Sequence, residues 1–170
     1  LSGARYAFLD DIGYIYRRNE QSISYQYNPH LKECWLEMVA LLKRYVRKQQ
    51  WENKKKAECV KDSAIGLIEY ILFFGIFFSA KMEYTGGSGT VKSVRKLIKE
   101  YHKEPLVRKV FIRLTKDSRI RDLSQFHWRV MIRIFSIAIN WHLYGLIAIG
   151  IKVLVLLRID ERLSDTGLRE

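Results

Sequence analysis

From Ile65 to Ala80 the chain is apolar on nearly every side, and one acid, Glu69, interrupts the run. As a helix this stretch measures about 24 Å at a 1.5 Å rise per residue. That is shorter than the hydrocarbon core of a bilayer. A helix without a polar face has to be wrapped by other elements. The expected role is therefore the buried central helix of a bundle, with a membrane span as the alternative. Asp62 or Ser63 is the expected N-cap.

Helical patterns surround this segment. Asn28-Pro29 reads as a capping side chain followed by proline at the first helical position. Leu31, Cys34, Trp35, Met38, Leu41, Leu42, Tyr45 and Val46 then recur at threes and fours, which predicts one apolar face. The pattern fades over 49–56, a polar helix end or a linker. Thr85-Gly86-Gly87-Ser88-Gly89-Thr90 is a loop by composition. It lacks the Gly-Lys-Ser/Thr ending of a phosphate-cradling loop, so a connection is expected there. Val91, Val94, Leu97, Ile98 and Tyr101 mark another amphipathic helix. Pro105 starts the next, with Leu106, Val110, Phe111 and Leu114 inward and a turn at Asp117-Ser118.

The last long segment runs from about Ser124 to Arg158. Arg129, Arg133, Ser136 and Asn140 form a polar stripe on an otherwise apolar helix. Ile134 to Ile151 carries no formal charge over eighteen residues, which just reaches the length of a transmembrane candidate. Asn140 and His142 near its middle are costly in lipid without partners. A basic amphipathic helix in the membrane interface, or packed on the preceding helices, fits this pattern better.

The formal net charge is +12. Such an excess attracts anions: phosphate-bearing substrates, acidic lipids or nucleic acid. Stacking aromatics are not interleaved with the basic residues as in a nucleic-acid module, so nucleic acid is not an expected partner. Nothing resembles a nucleophile elbow, a zinc ligand set or a nucleotide fingerprint. Cys34 and Cys59 are too few and too far apart to form a ligand set; both are expected to be small buried hydrophobes of a reduced, cytosolic protein. His30, His102, His127 and His142 are scattered and read as structural. No charged leader precedes an apolar run, so a signal peptide is not recognised.

Near the beginning the period changes to two. Tyr6 and Phe8, then Tyr14 and Tyr16, suggest two short strands around Asp10-Asp11 and Gly13. Adjacent carboxylates on a strand point to opposite faces, which suits Asp10 and Asp11 to a turn rather than to a shared metal ion. The second strand runs into a polar turn bearing Arg17, Arg18, Asn19 and Ser22. Arginine's planar fork binds phosphate oxygens bidentately and a serine hydroxyl adds a bond, so this turn is suited to clamp a diphosphate. An exposed basic turn without a ligand is the equal alternative from spacing alone.

At Tyr14-Ile15-Tyr16-Arg17-Arg18-Asn19-Glu20-Gln21-Ser22-Ile23-Ser24 the sequence resembles the segment that closes the catalytic domain of family-two bacterial glycosyltransferases of the GT-A fold. In that family a strand ends in a pattern of the kind Tyr-Tyr-Arg, two or three variable residues, then Ser-Ile. Ala4 to Asp11 resembles the preceding strand and turn. The resemblance implies inverting transfer of a sugar from a nucleotide-sugar donor to a hydroxyl of a cell-surface glycan or lipid-linked precursor. It implies a magnesium or manganese ion on an Asp-x-Asp motif and a carboxylate general base. Neither motif occurs in this sequence, and both are expected upstream of Leu1. Arg17 matches the family's arginine and Ser22 its serine. Asn19 stands where some relatives carry a histidine that helps to hold the donor diphosphate or metal.

The expected fold is mainly α: a short strand remnant of a GT-A catalytic sheet over 1–27, a bundle of about five helices over 28–162, and a polar tail over 163–170. Arg17, Asn19 and Ser22 are the expected contacts to donor diphosphate. The metal belongs to the intact enzyme and is not expected on this chain, which by itself would be inactive. The helical part is expected to dock peripherally on an anionic membrane, on the cytoplasmic face. A peripheral membrane-binding helical protein without enzymatic ancestry, and a small integral membrane protein, are the rival expectations.

Overall fold

The computed structural model describes residues 27–48, 54–117 and 126–157. Six helices occupy them: α1 Leu31–Lys48, α2 Lys54–Thr85, α3 Val91–Lys103, α4 Pro105–Lys116, α5 Phe126–Asn140 and α6 Tyr144–Leu156. There is no strand among the described residues, and the expected strands over 1–27 lie outside them apart from Tyr27. The mainly helical fold agrees with the sequence reading. The count is six rather than about five because the last expected helix is broken in two.

Asn28-Pro29 leads into α1 but does not begin it: Pro29 and His30 form a turn, and the helix starts at Leu31 rather than at the expected proline. Asn28 Oδ1 accepts from the His30 backbone N–H at 2.9 Å, two residues on, with Pro29 between them. Tyr27 donates its hydroxyl to Glu83 Oε2 at 2.8 Å, which ties the entry of α1 to the end of α2. At the start of α2 the expected cap at Asp62 or Ser63 is not used. The helix begins at Lys54 and passes through both. Residues 54–61 include four lysines, an alanine and a glutamate and no glycine or proline, so nothing stops the helix from extending backwards.

α2 is the centre of the bundle. Leu72, Phe73, Ile76 and Ala80 are fully buried. Glu58–Thr85 is long and apolar enough to cross a membrane by length and composition, yet 56% of its most apolar window is already buried by protein. α1 lies along it, α3 packs on both α2 and α6, and α4 packs on α5. Phe135 of α5 joins three elements. Its ring meets Phe73 of α2 edge-on at 5.3 Å and stacks on Phe111 of α4 at 5.8 Å. Such aromatic pairs add to the energy of burial.

α3 starts at Thr90, whose Oγ1 accepts from the Ser93 N–H at 3.1 Å. Gly89 before it has φ +66°, a conformation that a side chain would strain. Glu104 alone separates α3 from α4. It is extended (φ −70°, ψ 126°) because the residue before a proline is pushed out of the helical region, and Pro105 then opens α4. Both cysteines are exposed, not buried as expected. Cys59 opens onto a groove shared with Ile112, Arg113 and Lys116 of α4.

Candidate functional site

Three arrangements carry chemistry beyond packing. The largest is the hairpin of α5 and α6. The segment that the sequence presents as one long helix breaks at 141–143. The Leu143 N–H bonds the Ala138 carbonyl at 2.8 Å and the His142 N–H bonds the Ile139 carbonyl at 3.1 Å. His142 has φ +59°. This is a Schellman stop with histidine where glycine is usual. Asn140, just before it, donates Nδ2–H to the Phe111 carbonyl at 3.1 Å and pins the end of α5 to α4. At 1.5 Å per residue, α5 (15 residues) is about 22 Å long and α6 (13 residues) about 20 Å, so neither spans a bilayer. The expectation that Ile134 to Ile151 crosses or lies flat as one continuous helix is therefore replaced by a hairpin.

The inner faces of both helices are buried through Ile132, Phe135, Ile139, Ile147 and Ile151. Their outer faces are apolar as well. On α5 and its end, Phe126, Val130, Ile134, Ile137 and Trp141 are exposed at spacings of four, four, three and four. On α6, Leu146, Ile149, Val153 and Leu156 are exposed at three, four and three. Trp141, at the hairpin tip, is 72% exposed. Between the helices opens an apolar cleft of about 870 Å³, with Phe77 of α2 among its walls. No aspartate or glutamate occurs from Phe126 to Leu157, and Arg129, Arg133 and Lys152 are the only lysines or arginines. Arg133 and Lys152 are exposed. Of the stripe read from the sequence, Ser136 is fully buried, Asn140 is bonded to α4 and Arg129 is half-buried, so Arg133 is its one exposed member.

The second arrangement surrounds Glu69, 1% exposed in the middle of α2. Its Oε1 receives Lys43 Nζ of α1 at 2.9 Å and the Arg113 guanidinium of α4 at 3.3 Å. Its Oε2 is buried with no hydrogen-bond partner among the described residues. Above it runs a groove of about 870 Å³ between α1 and α4, where Arg44, Arg47, Lys48 and Lys109 join the two paired cations.

The third joins α3 to the hairpin turn. The Tyr144 hydroxyl lies 2.7 Å from His102 Nδ1 and 2.6 Å from His142 Nδ1. Burial holds the His102 imidazolium below its usual range, and His142 and Arg108 act in the same direction. Burial also raises the Tyr144 hydroxyl.

Arg17, Asn19 and Ser22 lie outside the described residues, as do Asp10 and Asp11. Among the described residues no group of three His, Cys, Asp or Glu side chains converges on a point where an ion would sit. Sequence reasoning missed both Glu69, seen only as an interruption, and the outward apolar stripes. The stripes were legible as spacing, but a helix that is apolar all round does not reveal which face its neighbours cover. Comparison of the chain with family models, curated proteins and solved structures found no match.

Proposed function

We propose that the helical part of this chain is a membrane-docking domain, and that it serves an enzyme that transfers a sugar from a nucleotide-sugar donor to a lipid-linked or cell-surface glycan. One observation carries the docking: two apolar stripes at helical spacing face solvent on the α5–α6 hairpin, over a stretch devoid of acids. Apolar surface of this extent is costly in water. The hairpin is too short to cross, which favours a position in the interface, with Trp141 and the apolar stripes among the acyl chains and Arg133 and Lys152 at headgroup phosphates. Charge favours an anionic bilayer over an ordinary protein partner. The cleft between α5 and α6 accommodates acyl chains.

The test is co-sedimentation of the full chain with phosphatidylcholine–phosphatidylserine vesicles, using wild type and the pair Ile134→Asp, Leu146→Asp. A large aliphatic side chain gains about 1.5–3 kcal/mol on leaving water. The double variant is therefore expected to bind at least about a hundredfold more weakly. Unchanged vesicle binding, or a wild type that instead buries the face in a dimer by sedimentation velocity, removes the docking role.

The enzymatic half rests on the resemblance at Tyr14 to Ser24. In that reading Arg17 holds the donor diphosphate, with Asn19 and Ser22 on the same turn, and magnesium or manganese is bound outside this sequence. Its test is the coding sequence before Leu1. A strand-rich stretch carrying Asp-x-Asp supports the reading, and an in-frame start codon at Leu1 with nothing upstream removes it.

A further inference from the structure

The groove between α1 and α4 is unusual in its charge and in its floor. Six cations line it and Glu69 is the one acid among them. Lys43 and Arg113 are already held by one Glu69 oxygen, at 2.9 and 3.3 Å, so these two cations are fixed in place. Arg44, Arg47, Lys48 and Lys109 have no carboxylate partner among the described residues. Crowding like charges along one groove is unfavourable unless an anion offsets them. Glu69 Oε2 is buried without a hydrogen-bond partner among the described residues, and such a group is costly to maintain.

We propose that this groove is a binding site for a phosphate-bearing ligand, a phosphomonoester or diphosphate. The arginine forks of Arg44 and Arg47 are suited to phosphate oxygens, and Lys109 approaches from the opposite wall as a point charge. Leu106 and Ile112 give the groove an apolar side for the group that carries the phosphate. No aromatic ring lines it, so it offers no stacking platform for bases. The groove shares no lining residue with the α5–α6 cleft, and the site stands independently of the docking role.

The probe is inorganic pyrophosphate, titrated calorimetrically into the full chain. The groove variant carries Arg47→Glu and Lys109→Glu. A control with the same change of net charge carries Lys92→Glu and Arg108→Glu, outside the groove. All four side chains are exposed, so folding should survive, and circular dichroism checks this. The milder pair Arg47→Gln, Lys109→Gln replaces the first if it does not fold. Saturable binding by wild type and control, weakened at least about tenfold in the groove variant, is the expected result. Phosphatidylcholine vesicles with and without phosphatidic acid separate the two sources of phosphate. If the ligand is a lipid headgroup, the groove variant loses the part of vesicle binding that phosphatidic acid adds, while its binding to neutral vesicles through α5–α6 persists. If the ligand is soluble, only pyrophosphate binding is lost. Equal weakening in both variants, or no saturable response to either probe, overturns the site.

Discussion

Tyr144 places one hydroxyl between two imidazole nitrogens, at 2.7 and 2.6 Å. A phenol has one proton to donate, so at least one of His102 and His142 has to carry its own proton on Nδ1. His102 is buried, and its neutral form is favoured in the folded chain. The sign of the linkage follows. Above the usual 6.5 both folded and unfolded chains hold His102 neutral, and it adds no pH dependence. Below 6.5 the unfolded chain takes up a proton that the folded chain refuses, so stability declines as pH falls toward the lowered folded value. Denaturant midpoints measured from neutral to mildly acidic pH should show this fall in wild type and a smaller one in His102→Gln. Parallel profiles would show that His102 is not its source. None of this was legible in the chain, where His102 and His142 are forty residues apart. Glu69 was visible only as an oddity in an apolar run. Its meaning depends on Lys43 and Arg113, which come from two other helices.

At the scale of elements, the ends that depend on adjacent residues were readable. Asn28-Pro29 forms the turn that leads into α1 and Pro105 opens α4, because caps and proline act within a few residues. The break between α5 and α6 was not readable. Its left-handed residue is His142, and sequence signals for a helix stop rest on glycine or asparagine there. Asn140 bonded to Phe111 supplies part of the cause, and that is a tertiary contact. The fit of α1 on α2 depends on a missing side chain. A Cβ at Gly75 would stand 2.5 Å from Trp35 Cδ2, 2.7 Å from Cε3 and 2.9 Å from Cγ. These distances are too short for a real contact, so the ring or the helix would have to shift. Gly75→Ala is expected to cost about 1–3 kcal/mol through overpacking, although alanine is the better helix former. Chemical denaturation gives the value. A stabilised variant would mean that α1 seats differently on α2. The same turn of α2 is secured by Ser79, whose hydroxyl donates to the Gly75 carbonyl at 2.7 Å and lies 2.8 Å from the Tyr101 hydroxyl of α3.

At the scale of the molecule, charge and apolar surface are unevenly divided. The formal charge is +12, yet Phe126 to Leu157 contributes only three of the thirty lysines and arginines. In the proposed docking, long-range attraction to an anionic bilayer would therefore come mainly from outside the hairpin, and the hairpin would supply insertion. The Debye length shrinks from about 10 Å at about 0.1 M salt to about 3 Å at about 1 M. Vesicle co-sedimentation over that range should lose most of the bound wild-type protein but retain a salt-resistant fraction. The Ile134→Asp, Leu146→Asp variant should retain none at high salt. Complete salt-insensitivity of the wild type would show that charge plays no part. The chain by itself determined that this protein is mainly helical, that α2 lies at its centre, and where several helices begin. Those properties follow from periodicity, capping and composition, which act between neighbours along the chain. Tertiary structure decided which apolar faces remain uncovered, where the last helix turns back, and which cations gather over Glu69. Each of these depends on side chains brought together from separate helices, and burial is a property of what lies opposite a residue, not of the residue itself.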